Sequence, residues 1–431
     1  MNSGEYQKFE ELGLDQWLLK LCWKIDYKEP RPIQVLSIPP LLQGKNVLIS
    51  SQTGSGKTAA FSFPILQTLS QDPYGIFAII LTANRELAVQ IAEQIQIFGA
   101  SVNLRLALLI GGLSSQKQVK LLGQIPHIII GTPGRCAELL SIDVNFQKYI
   151  KNVKYFILDE VDRLLEPQIW DDIKQVYEQC ESPQIALVSA TLNNVTQQLK
   201  DEFANVKFVE CINNPEQKVS ETIKHKFVLM PDLVKDYYFI HLMKKLEGAS
   251  TIVFAPTCRK CHELNELLNH FEIKSTCLHS MLPQHERISN LRAYRSQKTQ
   301  VLVATDVASR GLDIPNVKFV INWNVPKVEA DYIHRVGRTG RAGRRGTAIT
   351  MMTQFDVERI LAIENLINLR LEEIKFNEEK VLSNMTEVTK AIKTIKIKMQ
   401  QDGTTEKFMD LQKKKVKSKQ KKKESLEDQS S

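Results

Sequence analysis

The chain holds 431 residues, 43% of them hydrophobic, and carries a formal net charge of +8. This length predicts two or three domains, and this apolar content excludes global disorder. Eight lysines and no acid fall in KKKVKSKQKKK at 413–423, a run that equals the whole net charge. The remaining body is therefore neutral, which excludes a generally basic nucleic-acid binder and requires that any phosphate contacts come from placed groups.

In chain order, the opening MNSGEYQKFEELGLD is polar and acidic, without the apolar region behind a basic start that marks a signal peptide. No stretch approaches ~18 apolar residues, so no membrane span is expected. Short runs then alternate with helix-like segments: VLIS (47–50), IFAIIL (76–81), HIIIG (127–131), YFILD (155–159) and IALVS (185–189). They are apolar throughout, as strands covered on both faces of a parallel sheet are. The pattern lapses in the polar NNPEQKVSET (213–222), so a first domain is expected over 1–212 and a linker over 213–224. It resumes with KFVL (226–229), TIVF (251–254), STCLH (275–279), VLVAT (301–305), FVINW (319–323) and GTAITMM (346–352), predicting a second α/β domain over 225–372. Beyond 373 the chain turns lysine-rich, with helically spaced apolar positions through VTKAIKTIKIKM. A marginal helix followed by a disordered basic tail is expected over 373–431. The seven cysteines show no pairing pattern and read as reduced thiols inside a cell.

The run VLIS leads into SQTGSGKT (51–58), the strand–turn–helix layout of a phosphate-binding loop formed by Ser51, Gln52, Thr53, Gly54, Ser55, Gly56, Lys57 and Thr58. The glycines let backbone N–H groups point inward at an anion, Lys57 reaches the β/γ-phosphates, and Thr58 offers its hydroxyl to Mg²⁺. Ser51 stands where the general pattern has its first glycine. The complement of such a loop is an acid at the end of a neighbouring buried strand, and YFILDEVD supplies it. Asp159 is placed to hold Mg²⁺, and Glu160 to orient or deprotonate the attacking water.

With these residues the chain resembles a DEAD-box RNA helicase, from about Phe9 to about residue 365. Gln34 within PRPIQ, with Phe9 upstream, resembles the adenine-reading Q motif. SQTGSGKT, TANRELA (82–88), GG (111–112), TPGR (132–135), DEVD (159–162) and SAT (189–191) follow in the first half. IVFAPT (252–257), QHER (284–287), ATDVASRGLD (304–313) and HRVGRTGR (334–341) follow in the second. The resemblance implies two tandem RecA-like domains with a basic C-terminal tail, and ATP and Mg²⁺ as cofactors. It implies that Gln34 reads the adenine, Phe9 stacks on it and Asp313 touches the ribose. Arg338 and Arg341 would be arginine fingers, and His334 would place the attacking water. Ser189 and Thr191 would link the phosphate site to the domain interface through Asp162. RNA would run over Arg85, Gly112, Thr132 and Arg135, then over Gln284, Arg287 and Thr305. The implied activity is an RNA-dependent ATPase that unwinds short duplexes or remodels RNA–protein complexes. The short flanks and lysine-rich tail resemble nucleolar helicases of small-subunit ribosome assembly. Pre-ribosomal RNA as partner, a protein activator of the ATPase, a monomeric state and a nuclear, nucleolar location follow from that analogy.

Three positions depart from the family pattern. Val161 makes DEAD into DEVD, Ala83-Asn84 replaces proline and threonine in TANRELA, and Arg31 replaces the threonine of the Q motif. Both catalytic acids remain, whereas the Arg31 exchange puts the usual hydroxyl contact near the phosphate loop in doubt. Cys258-Arg-Lys-Cys261-His262 matches a haem-attachment or zinc half-site string, but with no second CxxC it reads as packing. The lysine run reads as a solvated face, a nuclear address or an RNA grip. Two other activities compete: an ATP-gated RNA clamp with incidental turnover, and a DNA-translocating motor. Glu160, Arg338 and Arg341 rank the first lower, and the Q motif and HRVGRTGR rank the second lower.

Overall fold

Each apolar run becomes a strand because its residues are covered on both faces. The computed structural model describes residues 8–51, 54–165, 167–189, 202–203, 206–213, 222–306, 317–340, 344–408 and 410. It contains two compact units.

The first unit holds β1 (Asn46–Ser51), β2 (Ala78–Thr82), β3 (Leu106–Leu109), β4 (Ile128–Gly131), β5 (Tyr155–Asp159), β6 (Gln184–Ser189) and β7 (Phe208–Asn213). They form one sheet in the order β3-β4-β2-β5-β6-β1-β7, and every pairing is parallel. Registers Ser50↔Ser189 and Asp159↔Val188 align the C-terminal ends of β1, β6 and β5. In an open parallel sheet, ligands bind beyond those ends. Below them, Leu48, Ile79, Leu81, Ile129, Phe156, Leu158 and Leu187 pack with Leu139, Trp170 and Val176 of the flanking helices. The outer strands β3 and β7 are only partly buried, so they lack the unbroken apolar run of the central strands.

The second unit repeats the plan with β8 (Ile223–Leu229), β9 (Thr251–Phe254), β10 (Ser275–Leu278), β11 (Val301–Ala304), β12 (Phe319–Asn322), β13 (Gly346–Met352) and the short edge strand β14 (Glu372–Glu373). The order is β10-β11-β9-β12-β13-β8-β14, again all parallel. The expected linker 213–224 falls largely outside the described residues, with Asn213 ending β7 and Ile223 opening β8.

Packing of the second unit continues past residue 372, where the sequence reading closes the domain. The helix Met385–Gln401 presents Val388, Ala391, Ile395 and Met399 as one stripe, and these join Phe408 in the same core as Val253, Val303 and Ile321. Tyr237 Oη lies 2.9 Å from Thr389 Oγ1, and Lys398 Nζ donates to Glu266 at 2.8 Å. Burial of about 1.5–3 kcal/mol per large apolar side chain makes this helix part of the unit rather than a marginal appendage. The lysine run at 413–423, expected to be disordered, lies outside the described residues.

Candidate nucleotide and RNA sites

The phosphate loop is shaped by the segment ahead of it. Pro32 opens the helix Pro32–Leu42, where a missing N–H costs nothing, and Gln34 Oε1 accepts the Arg31 N–H at 2.9 Å. This fixes Gln34, 1% exposed, so that its Nε2 donates to the Gly56 carbonyl at 3.2 Å. The Arg31 guanidinium donates to the Gly54 carbonyl, so the residue that departs from the family pattern reaches the loop directly. Gly56 is required twice over. Its φ is +94°, and an added Cβ would stand 2.6 Å from Gln34 Nε2.

From Gly56 the helix Lys57–Gln71 begins, with Lys57 and Thr58 half-buried in its first turn. Lys57 Nζ donates to the Ser51 carbonyl at 2.5 Å, closing the loop across its own base. Asp159, the last residue of β5, is 6% exposed. Burial pushes its carboxyl up to about 6, while the Lys57 charge and the Glu160 N–H, 3.0 Å from Asp159 Oδ1, draw it back and Asp162 raises it. Glu160 turns the chain with φ +56°, a left-handed conformation that costs about 1–3 kcal/mol for a non-glycine residue. Asp162 then lies on the short helix Val161–Leu164 and accepts from Ser189 Oγ at 3.1 Å, tying the ends of β5 and β6.

Phe9 is placed differently from the expectation. It is 4% exposed and meets Phe63 edge-on at 6.3 Å, so little of its ring is left for a base. Tyr27, half-buried in the same aromatic cluster 6.5 Å from Phe63, presents more surface and lies seven residues before Gln34.

A second set of groups gathers at the ends of β2, β3 and β4. Asn84 caps the helix Arg85–Phe98, its Oδ1 accepting the Leu87 N–H at 2.7 Å, which accounts for asparagine at this departure from the family pattern. Half-buried Arg85 lies against Gly111, where an added Cβ would be 2.8 Å from the Arg85 Nη2. Gly112 follows with φ +84°. Thr132 precedes the helix Pro133–Ile142, and Arg135 on that helix donates to the Leu113 carbonyl at 3.2 Å and to Ser115 Oγ at 3.0 Å.

In the second unit, Gln284 opens the helix Gln284–Arg295 and accepts from Arg287 Nη1 at 3.2 Å. Thr305 follows β11, its N–H on the Leu278 carbonyl at 3.2 Å. His334, on the helix Glu329–Val336, is half-buried, and its carbonyl accepts from Arg338 Nε at 3.2 Å. Arg338 itself is 2% exposed. Sequence reasoning missed the pair beside them: Arg335 grips Asp306 with Nε at 2.5 Å and Nη2 at 2.7 Å, and lies 5.2 Å from the centre of the Phe254 ring. The available signal was an arginine three residues after Tyr332 and next to Val336, in the buried stripe of its helix. Gln52, Thr53, Thr191, Asp313 and Arg341 lie outside the described residues.

The family descriptions DEAD/DEAH box helicase and helicase conserved C-terminal domain match residues 31–199 and 233–343. The chain is 41% identical over 400 residues to the human probable ATP-dependent RNA helicase DDX49, covering 91% of this chain and 82% of that protein. The chain belongs to the DEAD-box ATP-dependent RNA helicases. It is also 37% identical over 410 residues to the ATP-dependent RNA helicase dbp8 of Schizosaccharomyces pombe, covering 93% of this chain and 90% of that one. Among solved structures, Mss116p bound to single-stranded RNA and AMP-PNP superposes with a TM-score of 0.80 at 28% identity, covering 91% of this chain and 84% of that one. As a DEAD-box helicase the protein binds ATP and RNA and is an RNA-dependent ATPase of two RecA-like units.

Proposed function

We propose that hydrolysis is carried out by groups gathered at the ends of β1, β5 and β6, assisted by arginines of the second unit. The supporting observation is that Lys57, at the helix start after β1, places its charge close enough to act on the buried Asp159 at the end of β5, with Asp162 and Ser189 joined beside them. In this mechanism the loop N–H groups and Lys57 hold the β/γ-phosphates, Gln34 reads the adenine and Asp313 the ribose. Glu160 takes the proton of the attacking water, which His334 positions. Arg338 and Arg341 meet the charge that develops on the γ-phosphoryl oxygens. The base stacks on the aromatic cluster at Tyr27, since Phe9 is already covered.

Thr58 and Asp159 offer a hydroxyl and a carboxylate, hard oxygen donors that fit Mg²⁺, and a carboxylate disfavoured by burial gains from a cation. When bound there by Thr58 and Asp159, Mg²⁺ would supply positive charge that offsets the charge of the phosphates.

RNA contact is assigned to Arg85, Gly112, Thr132 and Arg135 in the first unit and to Gln284, Arg287 and Thr305 in the second. Because ATP chemistry needs groups of both units, RNA that favours the productive arrangement stimulates hydrolysis, and ATP in turn tightens RNA. The proposed RNA is a ribosomal precursor in the nucleolus, acted on by a monomer whose turnover a protein activator raises. This reading is supported by the lysine run at 413–423.

The test is steady-state ATP hydrolysis with RNA and with DNA of the same sequence. RNA is expected to stimulate turnover strongly and DNA weakly, and Lys57→Ala to abolish both. Equal stimulation by DNA, or near wild-type turnover in Lys57→Ala, would sink the assignment.

A further inference from the structure

One sequence string is left unused by the helicase reading, Cys258-Arg-Lys-Cys261-His262. Packing accounts for its cysteines. Cys261 is fully buried with its thiol 3.2 Å from the Val303 carbonyl, and Cys258 Sγ lies 3.5 Å from Ser280 Oγ. His262 is placed differently. From the helix Cys258–His270 it meets Cys277 of β10 and His279 just beyond that strand. Cys277 and His279 are two residues apart in extended chain and so share a face. One ligand atom from each of the three lies within 4.8 Å of the others.

Cys277 and His279 are buried, 5% and 2% exposed. Neither ring nitrogen of His279 has a hydrogen-bond partner among the described residues, although a buried polar group is nearly always satisfied. Phe408 closes the cluster, its ring centre 6.1 Å from those of both histidines.

We propose that His262, Cys277 and His279 bind a single zinc ion in the second unit. Two imidazoles and a thiolate are the borderline-soft donors that suit zinc, whereas magnesium and calcium take oxygen ligands. The Cys277 thiol gives its proton to solvent as the sulfur–zinc bond forms. Glu266 and Glu286 lie near enough to Cys277 to favour a cation, and Arg287 near His279 opposes it. Three protein ligands leave one tetrahedral position for water. The ion would staple the end of β10 to the helix Cys258–His270, beneath Phe408 and just ahead of Gln284 and Arg287. This role is structural and distinct from the magnesium chemistry assigned to Thr58 and Asp159.

The full chain, without a histidine tag and kept reduced, is stripped with a chelator and titrated with Co²⁺ as the spectroscopic probe. The expected result is one Co²⁺ per chain with a thiolate-to-cobalt charge-transfer band, displaced by equimolar Zn²⁺. Zn²⁺ should also raise the unfolding midpoint. Cys277→Ala should lose the band, and Cys258→Ser should keep it. His262→Ala, at a half-buried helix position that tolerates alanine, should weaken Co²⁺ at least tenfold. Absence of the band in the unaltered chain, its persistence in Cys277→Ala, or unchanged affinity in His262→Ala would overturn the proposal.

Discussion

Asp159 ends β5 and Asp306 lies two residues beyond β11, each on the C-terminal side of a parallel strand, yet they are compensated in opposite ways. Asp306 is gripped through two hydrogen bonds by the buried Arg335, which also donates to the Asn324 carbonyl at 2.8 Å. Among the described residues Asp159 has the Lys57 charge and one backbone N–H in its favour, and burial pushes its carboxyl up to about 6. A satisfied pair of this kind fixes a loop, whereas a carboxylate that burial disfavours is ready for an arriving cation. The same division runs through HRVGRTGR: Arg335 is committed to Asp306, while Arg338 three residues on is assigned to the phosphate.

This contrast can be broken or sharpened by substitution. The largest effect is expected at Arg338. Arg338→Ala should lower RNA-stimulated turnover by ~10³ or more while changing nucleotide affinity far less, read as kcat and Kd measured separately. Turnover within tenfold of wild type would remove the arginine from the phosphate.

Arg335→Ala should act on stability instead. Removing one partner of a buried pair costs about 3–5 kcal/mol, so the second unit should unfold at lower denaturant concentration, as followed by Trp323 fluorescence. An unchanged midpoint would show that the Asp306 contact does not hold the unit together.

At Asp159 the sign reverses. A carboxyl whose folded value is raised contributes stability that is full below about 4, the ordinary value, and lost as pH rises through about 6. At neutral pH the ionised side chain therefore weakens the nucleotide-free fold. Asp159→Asn should stabilise it by on the order of 2 kcal/mol at pH 7, and the advantage should vanish near pH 4. Thermal melts of both chains at the two pH values test this, and destabilisation at pH 7 would contradict it.

The smallest structural effect is expected from deleting 411–431. Phe408 and the helix Met385–Gln401 stay packed, so the melting temperature should not move. RNA affinity and its salt slope should fall, by about 0.7 per lost phosphate contact on a single strand. An unchanged slope would mean that the lysine run does not touch RNA.

The sequence made the centre of each sheet legible and the edges less so. β5 is buried throughout and β1 and β6 are buried after their first residue, so their runs are unbroken, whereas β3 alternates between buried and half-buried and β7 buries only Cys211. The phosphate loop could be read because strand, glycines and lysine are contiguous. Asp306 and Arg335 stand 29 residues apart, and neither flanks an apolar pattern that announces the other. Phe9, whose place in the motif suggests stacking, is 4% exposed and meets Phe63 edge-on, a burial that the motif alone does not reveal. The helix Met385–Gln401 was visible as a helix, but its lysines hid how completely its apolar stripe is covered.

We propose that Asp159 is held for chemistry at the expense of stability. The most direct test is RNA-stimulated ATP hydrolysis by Asp159→Asn at pH 7, on protein whose melt has been recorded in the same buffer. The expected result is a chain at least as stable as wild type whose hydrolysis is lost. Hydrolysis near the wild-type rate, or a loss caused by unfolding, would contradict it.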